Sequence, residues 1–226
     1  MGLGSNRRVV CFPTQQPTAS CRNHCGDFGY LCILHLSFPP PQATTHFIIF
    51  NWSVLIGFLA SPGRNAAPQQ LRNAYLQSQR SYEGTFYILG GEKKTGVDCS
   101  RLVRAGLIRA SIEQGLLTLN PKPVRFGLSL WWHDCSAKAL GVEYRGFTRQ
   151  IIQSPGINLL ENSEIEPGDI AVTTSGVHVL AYLGGNEWIE ADPDLKKVVI
   201  IKVPSKGNPW FYEPVRILRW NELETD

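Results

Sequence analysis

The stretch DIAVTTSGVHVLAYLGGNEWIEADPDLKKVVIIKV, residues 169–203, holds four short apolar runs separated by turn-forming residues. The runs are DIAV, VHVLAYL, EWIEA and KVVIIKV, and a fifth run, VRILRW, follows at 215–220. Gly, Asn and Pro stand between them, a pattern that is typical of β-strands joined by tight turns. The C-terminal part of the chain is therefore predicted to form an antiparallel sheet.

Helical segments precede this sheet region. One is predicted over Ala67–Arg80, where Pro68 occupies a favoured first-turn position. A second runs from Cys99 to about Gln114 and is expected to stop at Gly115, and a weaker one covers 126–140 after a break at two prolines. Helices followed by successive hairpins predict an α+β fold, with N-terminal helices and a C-terminal antiparallel β-sheet.

The composition is that of a folded protein. Of 226 residues, 43% are hydrophobic and 18% are charged, and the formal net charge is +3. These values exclude wholesale disorder and a polytopic membrane protein. Because the Lys and Arg residues are scattered rather than gathered into a basic stripe, nucleic acid is not an expected partner. Nothing in the composition indicates an oligomeric state.

The first 46 residues differ from the rest of the chain. They hold few charges and show no helical or strand period, which predicts a poorly structured N-terminal tail over 1–46. Cys21, His24, Cys25 and Cys32 lie here, but their spacing lacks the paired C-x2-C knuckles of a zinc site. A tail without a metal is therefore favoured.

An apolar run, FIIFNWSVLIGFLA, follows at 47–60. It is shorter than the ~20 residues that a membrane-spanning helix needs, so no stable membrane span is predicted. Small residues come after it, and the segment 47–63 fits a signal-peptide core, although it begins far from Met1, as it would if the assigned start lay upstream of the true one. A cell-envelope or secreted protein is favoured over a buried helix or strand at 47–63, and 64–226 is predicted to be the folded domain.

The candidate nucleophile lies in FYILGGEKKTGVDCSRLV, residues 86–103. A glycine-rich loop leads to Asp98, which is predicted to cap the helix that starts at Cys99. In the first helical turn, the helix dipole and the free N–H groups stabilise a thiolate and can receive an oxyanion. A thiolate nucleophile also needs an acid–base partner, and His178, 79 residues downstream in a predicted strand, is the candidate.

These segments together resemble the NlpC family of papain-like cell-wall peptidases. Its first motif, Tyr-x-x-Gly-Gly, a few residues, then Asp-Cys-Ser-Gly-Leu, is matched from Tyr87 to Leu102. Its second motif, Pro-Gly-Asp entering a strand and then a His-Val strand with a glycine turn, is matched from Pro167 to Gly185. The resemblance covers about 70–220, and its main departure is Arg101, where the family has glycine.

The resemblance implies a cysteine hydrolase with a Cys-His-acid triad that uses no metal or cofactor. Its implied substrate is a peptidoglycan stem peptide, cut between D-glutamate and the following diamino acid. Tyr87 is then implied to line the cleft, and Asp98 and Ser100 to help bind the substrate's free amine. The alternatives are a thiol amidase or acyltransferase that acts on another amide, and a catalytically silent wall-binding module.

The third catalytic residue depends on the hairpin after His178. Alignment of the glycine turn with the family places it at Glu190. A two-residue loop would set His178 opposite Ala191 and send Glu190 to the other face of the sheet. A three-residue loop would set His178 opposite Asp192, with Glu190 as a same-face diagonal neighbour. An odd loop is therefore expected, with Glu190 preferred and Asp192 as the alternative.

Overall fold

The structure is a computed structural model that describes residues 52–161 and 164–224. The predicted tail at 1–46, its cysteines and the start of the apolar segment lie outside the described residues. The helices are α1 (52–60), α2 (Pro68–Arg80), α3 (Cys99–Leu117), α4 (Pro121–Trp132) and α5 (Ala137–Gly141). The strands are β1 (Glu92–Lys93), β2 (Gly96–Val97), β3 (Thr148–Ser154), β4 (Ile170–Thr173), β5 (Val179–Gly184), β6 (Glu187–Asp192), β7 (Lys197–Lys202) and β8 (Val215–Trp220).

The α+β prediction is confirmed. Strands β3 to β8 form one six-stranded sheet in the order β3-β8-β4-β5-β6-β7, and every neighbouring pair is antiparallel. The five predicted runs correspond to β4 through β8. Strand β3 was not predicted, because its sequence, TRQIIQS, lacks the apolar continuity of the others. One face of the sheet packs on α2 and α3, and the other face holds a second core around Trp188 and Phe211.

Helix α3 begins at Cys99 as predicted, but it does not stop at Gly115. It continues to Leu117, and Gly115 lies where α3 and α4 approach closely. A Cβ at Gly115 would come within 2.8 Å of the Asn120 carbonyl oxygen. The glycine therefore serves the packing of the two helices rather than the end of α3.

The weaker helical segment predicted at 126–140 is also wrong in its bounds. Helix α4 starts at Pro121, with the Asn120 side chain accepting from the Lys122 N–H, and ends at Trp132 before the separate helix α5. Proline is tolerated in a first helical turn, because its missing N–H would have no partner there. The two prolines therefore begin this helix instead of breaking it.

The hairpin between β5 and β6 combines features of both predicted registers. Gly184 pairs with Glu187 across a two-residue turn, in which Gly185 and Asn186 have φ of +60° and +66°. The next pair is Tyr182 with Trp188, so one residue of β5 is left over as a bulge. The prediction of a three-residue loop is wrong, because the turn has two residues. The bulged residue Leu183 shifts the strand by one position, so the pairing beyond it is the one that a three-residue loop would have given.

The described part of the apolar segment is the helix α1. The side chains of Trp52 and Ile56 on it are 60% and 63% exposed, so the described part of the segment is a largely exposed helix. The C-terminal end of α1 is held by Arg125, whose Nη1 donates to the carbonyl oxygens of Leu59 and Ser61. Within the described residues, no helix has the length and apolar character needed to cross a membrane.

Candidate active site

Cys99 is the first residue of α3 and follows β2 by one residue. The turn before β1 requires glycine, because Gly90 has a φ of +78° and a Cβ on Gly91 would overlap the carbonyl group of Gly96. Asp98 caps the helix as predicted, with Oδ1 accepting from the Arg101 N–H at 2.8 Å. These local features hold the Cys99 sulfur at the positive end of a 19-residue helix.

The Cys99 side chain borders a cleft of about 360 Å³. The walls come from the loop before β1, the start of α3, the segment after α4 and the turn before β5. The three predicted substrate-binding residues all lie in this wall. The lining residues are Tyr87, Leu89, Asp98, Cys99, Ser100, Arg101, Asp134, Ser136, Ala137, Gly176 and Val177.

His178 lies one residue before β5 rather than within a strand. Its backbone is fixed by Thr173, whose hydroxyl accepts from the His178 N–H at 3.0 Å. Its ring Nε2 is 2.6 Å from Oε2 of Glu190. Because Nε2 is engaged in this way, Nδ1 is the ring nitrogen left for the Cys99 sulfur, which lies 4.0 Å from the neighbouring Val177 carbonyl oxygen.

The electrostatic setting of His178 favours the imidazolium form. Burial alone would lower the pKa of this histidine, but hydrogen bonds to Cys99 and Glu190, together with the negative charges of both groups, raise the pKa to about 9. The imidazolium is therefore favoured over the neutral ring, and it can stabilise a thiolate at Cys99 and hold the proton that a leaving amine needs.

Glu190 is the carboxylate that meets the histidine, and Asp192 is not. Glu190 is fully buried on β6, where Oε2 contacts His178 and Oε1 accepts from Nδ2 of Asn208. Asp192 instead accepts the backbone N–H groups of Asp194 and Leu195 at 2.7 and 2.9 Å, and so caps the turn that follows β6. The hydrogen bonds of Asp192 thus go to that turn, whereas Glu190 contacts the ring, and Glu190 stays the proposed third residue.

Two residues of this site were missed in the sequence. Asn208 lies in the segment between β7 and β8, where it hydrogen-bonds Glu190 and also accepts the Trp210 N–H at 2.9 Å. Trp210 stacks on the His178 ring, with centroids 4.3 Å apart and planes at 26°. Neither residue carries a local signal, since their roles arise only when β7, β6 and β5 lie side by side.

The remaining motif residues have structural partners. Asp169 of the Pro-Gly-Asp motif is buried and forms a two-pronged ion pair with Arg219 of β8, with both N–O distances at 2.8 Å. Tyr87 is half-buried at the cleft, and burial, followed by the negative charges of Cys99 and Asp98, raises its pKa. Among the described residues, no group of three or more His, Cys, Asp or Glu side chains is arranged to hold a metal ion.

Comparison with known proteins found no matching family model and no matching curated protein. Solved structures with some similarity include NlpC1 from Trichomonas vaginalis, with 18% identity over 72% of this chain and a TM-score of 0.41. They also include the peptidoglycan hydrolase RipB from Mycobacterium tuberculosis, with 20% identity over 79% of this chain and 82% of that chain, and a TM-score of 0.42.

A third is an N-acetylmuramoyl-L-alanine amidase from Bacteroides uniformis, with 16% identity over 67% of this chain and 99% of that chain, and a TM-score of 0.44. This chain spans 46% of the length of the T. vaginalis protein. At such low identities and TM-scores, the similarity does not define what this chain acts on. Its chemistry follows from its own site.

Proposed function

We propose that residues 64–226 form an NlpC-type papain-like cysteine hydrolase that cleaves an amide bond in peptidoglycan stem peptides. One observation carries the enzymatic part of this proposal: Cys99 stands at a helix N-terminus, and the histidine set against it is held by the buried Glu190. The same order of nucleophile, base and orienting group recurs in thiol hydrolases on several folds.

In the proposed mechanism, the Cys99 thiolate attacks the carbonyl carbon of the scissile amide. Backbone N–H groups in the first turn of α3 receive the oxyanion of the tetrahedral intermediate. His178 gives its proton to the leaving amine, and the acyl group stays on the sulfur as a thioester. His178, now neutral, takes a proton from a water molecule that attacks the thioester, and the acid product leaves as Cys99 is restored.

Glu190 is proposed to hold the imidazole in this cycle. Its carboxylate fixes the orientation of the ring and favours the imidazolium form, and Asn208 fixes the carboxylate in turn. Trp210 covers the ring face and limits its rotation. These two residues act through His178 and are assigned as positioning residues.

The substrate assignment rests on the two motifs that resemble the NlpC family. The proposed bond lies between D-glutamate and the following diamino acid, and a wall substrate agrees with a cell-envelope or secreted location. The most direct test incubates the full chain and its Cys99→Ala variant with purified muropeptides, followed by product masses. Cys135→Ala is the matched control, because Cys135 is also buried. Activity that survives Cys99→Ala, or no new product with the unmodified chain, would exclude the proposed function.

A second candidate keeps the thiol chemistry but acts on another amide, as a thiol amidase or an acyltransferase. The observation that favours it is Arg101, a cation in the cleft wall where the resemblance leads one to expect glycine. Product analysis separates these two functions, because a transferase would give masses raised by the acceptor.

A silent wall-binding module would keep the fold without a reactive thiol. Burial raises the pKa of Cys135, so this thiol is the internal reference for reactivity. Iodoacetamide at neutral pH should label Cys99 faster than Cys135, as read by peptide mass mapping. Equal rates at the two positions would favour the silent module.

A further inference from the structure

The carboxylate next to the nucleophile has no acceptor position left for a substrate. Oδ1 of Asp98 accepts from the Ser100 hydroxyl at 3.0 Å and from the Arg101 N–H at 2.8 Å. Oδ2 accepts from the Gly90 N–H at 3.0 Å and from Nη1 of Arg101 at 2.8 Å. A carboxylate offers about four lone-pair positions, so this residue is fully used by the protein itself.

Arg101 connects three acidic residues from separate parts of the cleft wall. Its Nη1 contacts Asp98, its Nε contacts Glu92 of β1 at 2.9 Å, and its Nη2 contacts Asp134, after α4, at 2.6 Å. The guanidinium side chain is 21% exposed, whereas Glu92 and Asp134 are each about half exposed. The cation therefore lies between the buried Asp98 carboxylate and the two more exposed carboxylates of Glu92 and Asp134.

Charge at this position decides which groups a substrate can bring. Without Arg101, Asp98 and Glu92 would lose their guanidinium partner, whereas Asp134 would keep its ion pair with Arg104. The two unpaired carboxylates would attract a free ammonium group, because opposite charges a few ångströms apart in a partly solvated site favour each other. With Arg101 in place, an ammonium group would meet a like charge and would find no free acceptor on Asp98. A neutral amide pays no such electrostatic cost.

We propose that Arg101 is a specificity-determining residue, which makes the subsite beside Asp98 take an acylated amino group rather than a free amine. The chemical class of substrate is then a peptide whose first amino group is itself in amide linkage. This inference rests on the proposed hydrolase function and narrows its substrate. In this role, Arg101 selects substrates by their charge and takes no part in the Cys99–His178 chemistry.

A charge-probe experiment tests this without any turnover. Cationic, neutral and anionic methanethiosulfonates react with a thiolate to form a mixed disulfide and release a sulfinate, so their relative rates at Cys99 report the local charge. Rates at Cys99 are read by peptide mass mapping in the full chain. We expect Arg101→Met to raise the ratio of cationic to neutral rates by about tenfold, as loss of a nearby like charge would do. Arg101→Gln, which keeps a donor for Asp98, should do the same.

The matched control is Arg109→Met. Arg109 lies on the same helix and pairs with Glu113 one turn further along, outside the lining of the Cys99 cleft. It should leave the rate ratio unchanged. An unchanged ratio in both Arg101 variants, or an equal change in the Arg109 variant, would overturn the inference.

A pair of substrates tests the consequence for specificity. One is a synthetic stem peptide with a free amino group on its first residue, and the other is the same peptide N-acetylated. The unmodified chain should cleave the acetylated peptide at least as fast, and Arg101→Met should shift kcat/KM about tenfold toward the free amine. A tenfold preference of the unmodified chain for the free amine would refute the inference. If neither peptide is cleaved, the proposed function fails, and the charge probes still decide the role of Arg101.

Discussion

Replacing Glu190 with glutamine is expected to weaken both the activity and the alkaline tolerance of the proposed hydrolase. Gln keeps the size of the buried side chain but removes the charge that faces Nε2 of His178 at 2.6 Å. A hydrogen bond to a charged group is worth about 1.5–3 kcal/mol. Because this bond supports the imidazolium form used in the reaction, kcat/KM at neutral pH should fall by about 10- to 150-fold.

The pH profile gives a sharper readout than the rate alone. The pKa of His178 is about 9, and an opposite charge within hydrogen-bonding distance accounts for about 1–3 pKa units in general. The alkaline limb of kcat/KM, which reports loss of the proton that His178 donates, should therefore lie near pH 9 in the unmodified protein. In Glu190→Gln it should move to about pH 6–8, which is about 1–3 units lower, because the opposite charge is lost.

The free energy of unfolding should also depend on the protonation of His178. The pKa of His178 is raised from 6.5 to about 9 on folding, so the stabilisation is fully present below pH 6.5 and is lost as the pH rises through 9. At about 1.4 kcal/mol per pKa unit, the loss amounts to about 3 kcal/mol. The dependence should be flatter in Glu190→Gln when the free energy of unfolding is measured by urea titration at several pH values.

Asp192→Asn is the matched control, since it changes a carboxylate on the same strand whose hydrogen bonds go to the following turn. It should leave the alkaline limb in place. The reasoning is refuted if Glu190→Gln retains a limb near pH 9, or if Asp192→Asn moves the limb as far.

Two further changes test the packing that supports the site. Gly106→Ala would push a methyl group into the buried amide of Gln79, which donates to carbonyl oxygens of α3. The free energy of unfolding, measured by urea titration, should fall by about 2 kcal/mol. The control Gly207→Ala meets open space and should change that free energy by less than about 0.5 kcal/mol, so equal losses in the two variants would contradict the packing argument. Arg219→Met leaves the buried Asp169 carboxylate without its ion-pair partner and should cost about 3 kcal/mol, whereas a loss near zero would show that the pair is not stabilising.

The candidate nucleophile was accessible from the sequence because its setting is local. The features that define it are close to Cys99 in the sequence: the glycines at 90 and 91, the cap at Asp98 and the apolar face of the following helix. Their pattern can therefore be recognised without the tertiary structure. The end of the same helix was misread for the complementary reason. Gly115 resembles a stop signal in the sequence, and only the approach of α4 explains it as a packing residue.

The charges around the cleft could be predicted from the sequence only in part. Arg101 is visible in the sequence as a departure from the motif, but its partners are not. Asp98 is three residues away, whereas Asp134 is 33 residues away and reaches Arg101 only through the packing of α4 on α3. The effect of this arginine on the cleft could not be assigned before those contacts were known.

The sequence by itself determined the α+β class, the helix start at Cys99 and the two carboxylates that could serve His178, because capping, turn chemistry and strand runs are short-range properties. In the tertiary structure, one bulge in β5 brings the face that carries Glu190 and Asp192 toward His178. Glu190 contacts the ring, whereas Asp192 is hydrogen-bonded to the following turn, and Asn208 and Trp210 come from a distant segment. Strand register sets which side chains share a face, and a single unpaired residue changes it. That residue is specified by the packing of the whole sheet, which no local pattern records.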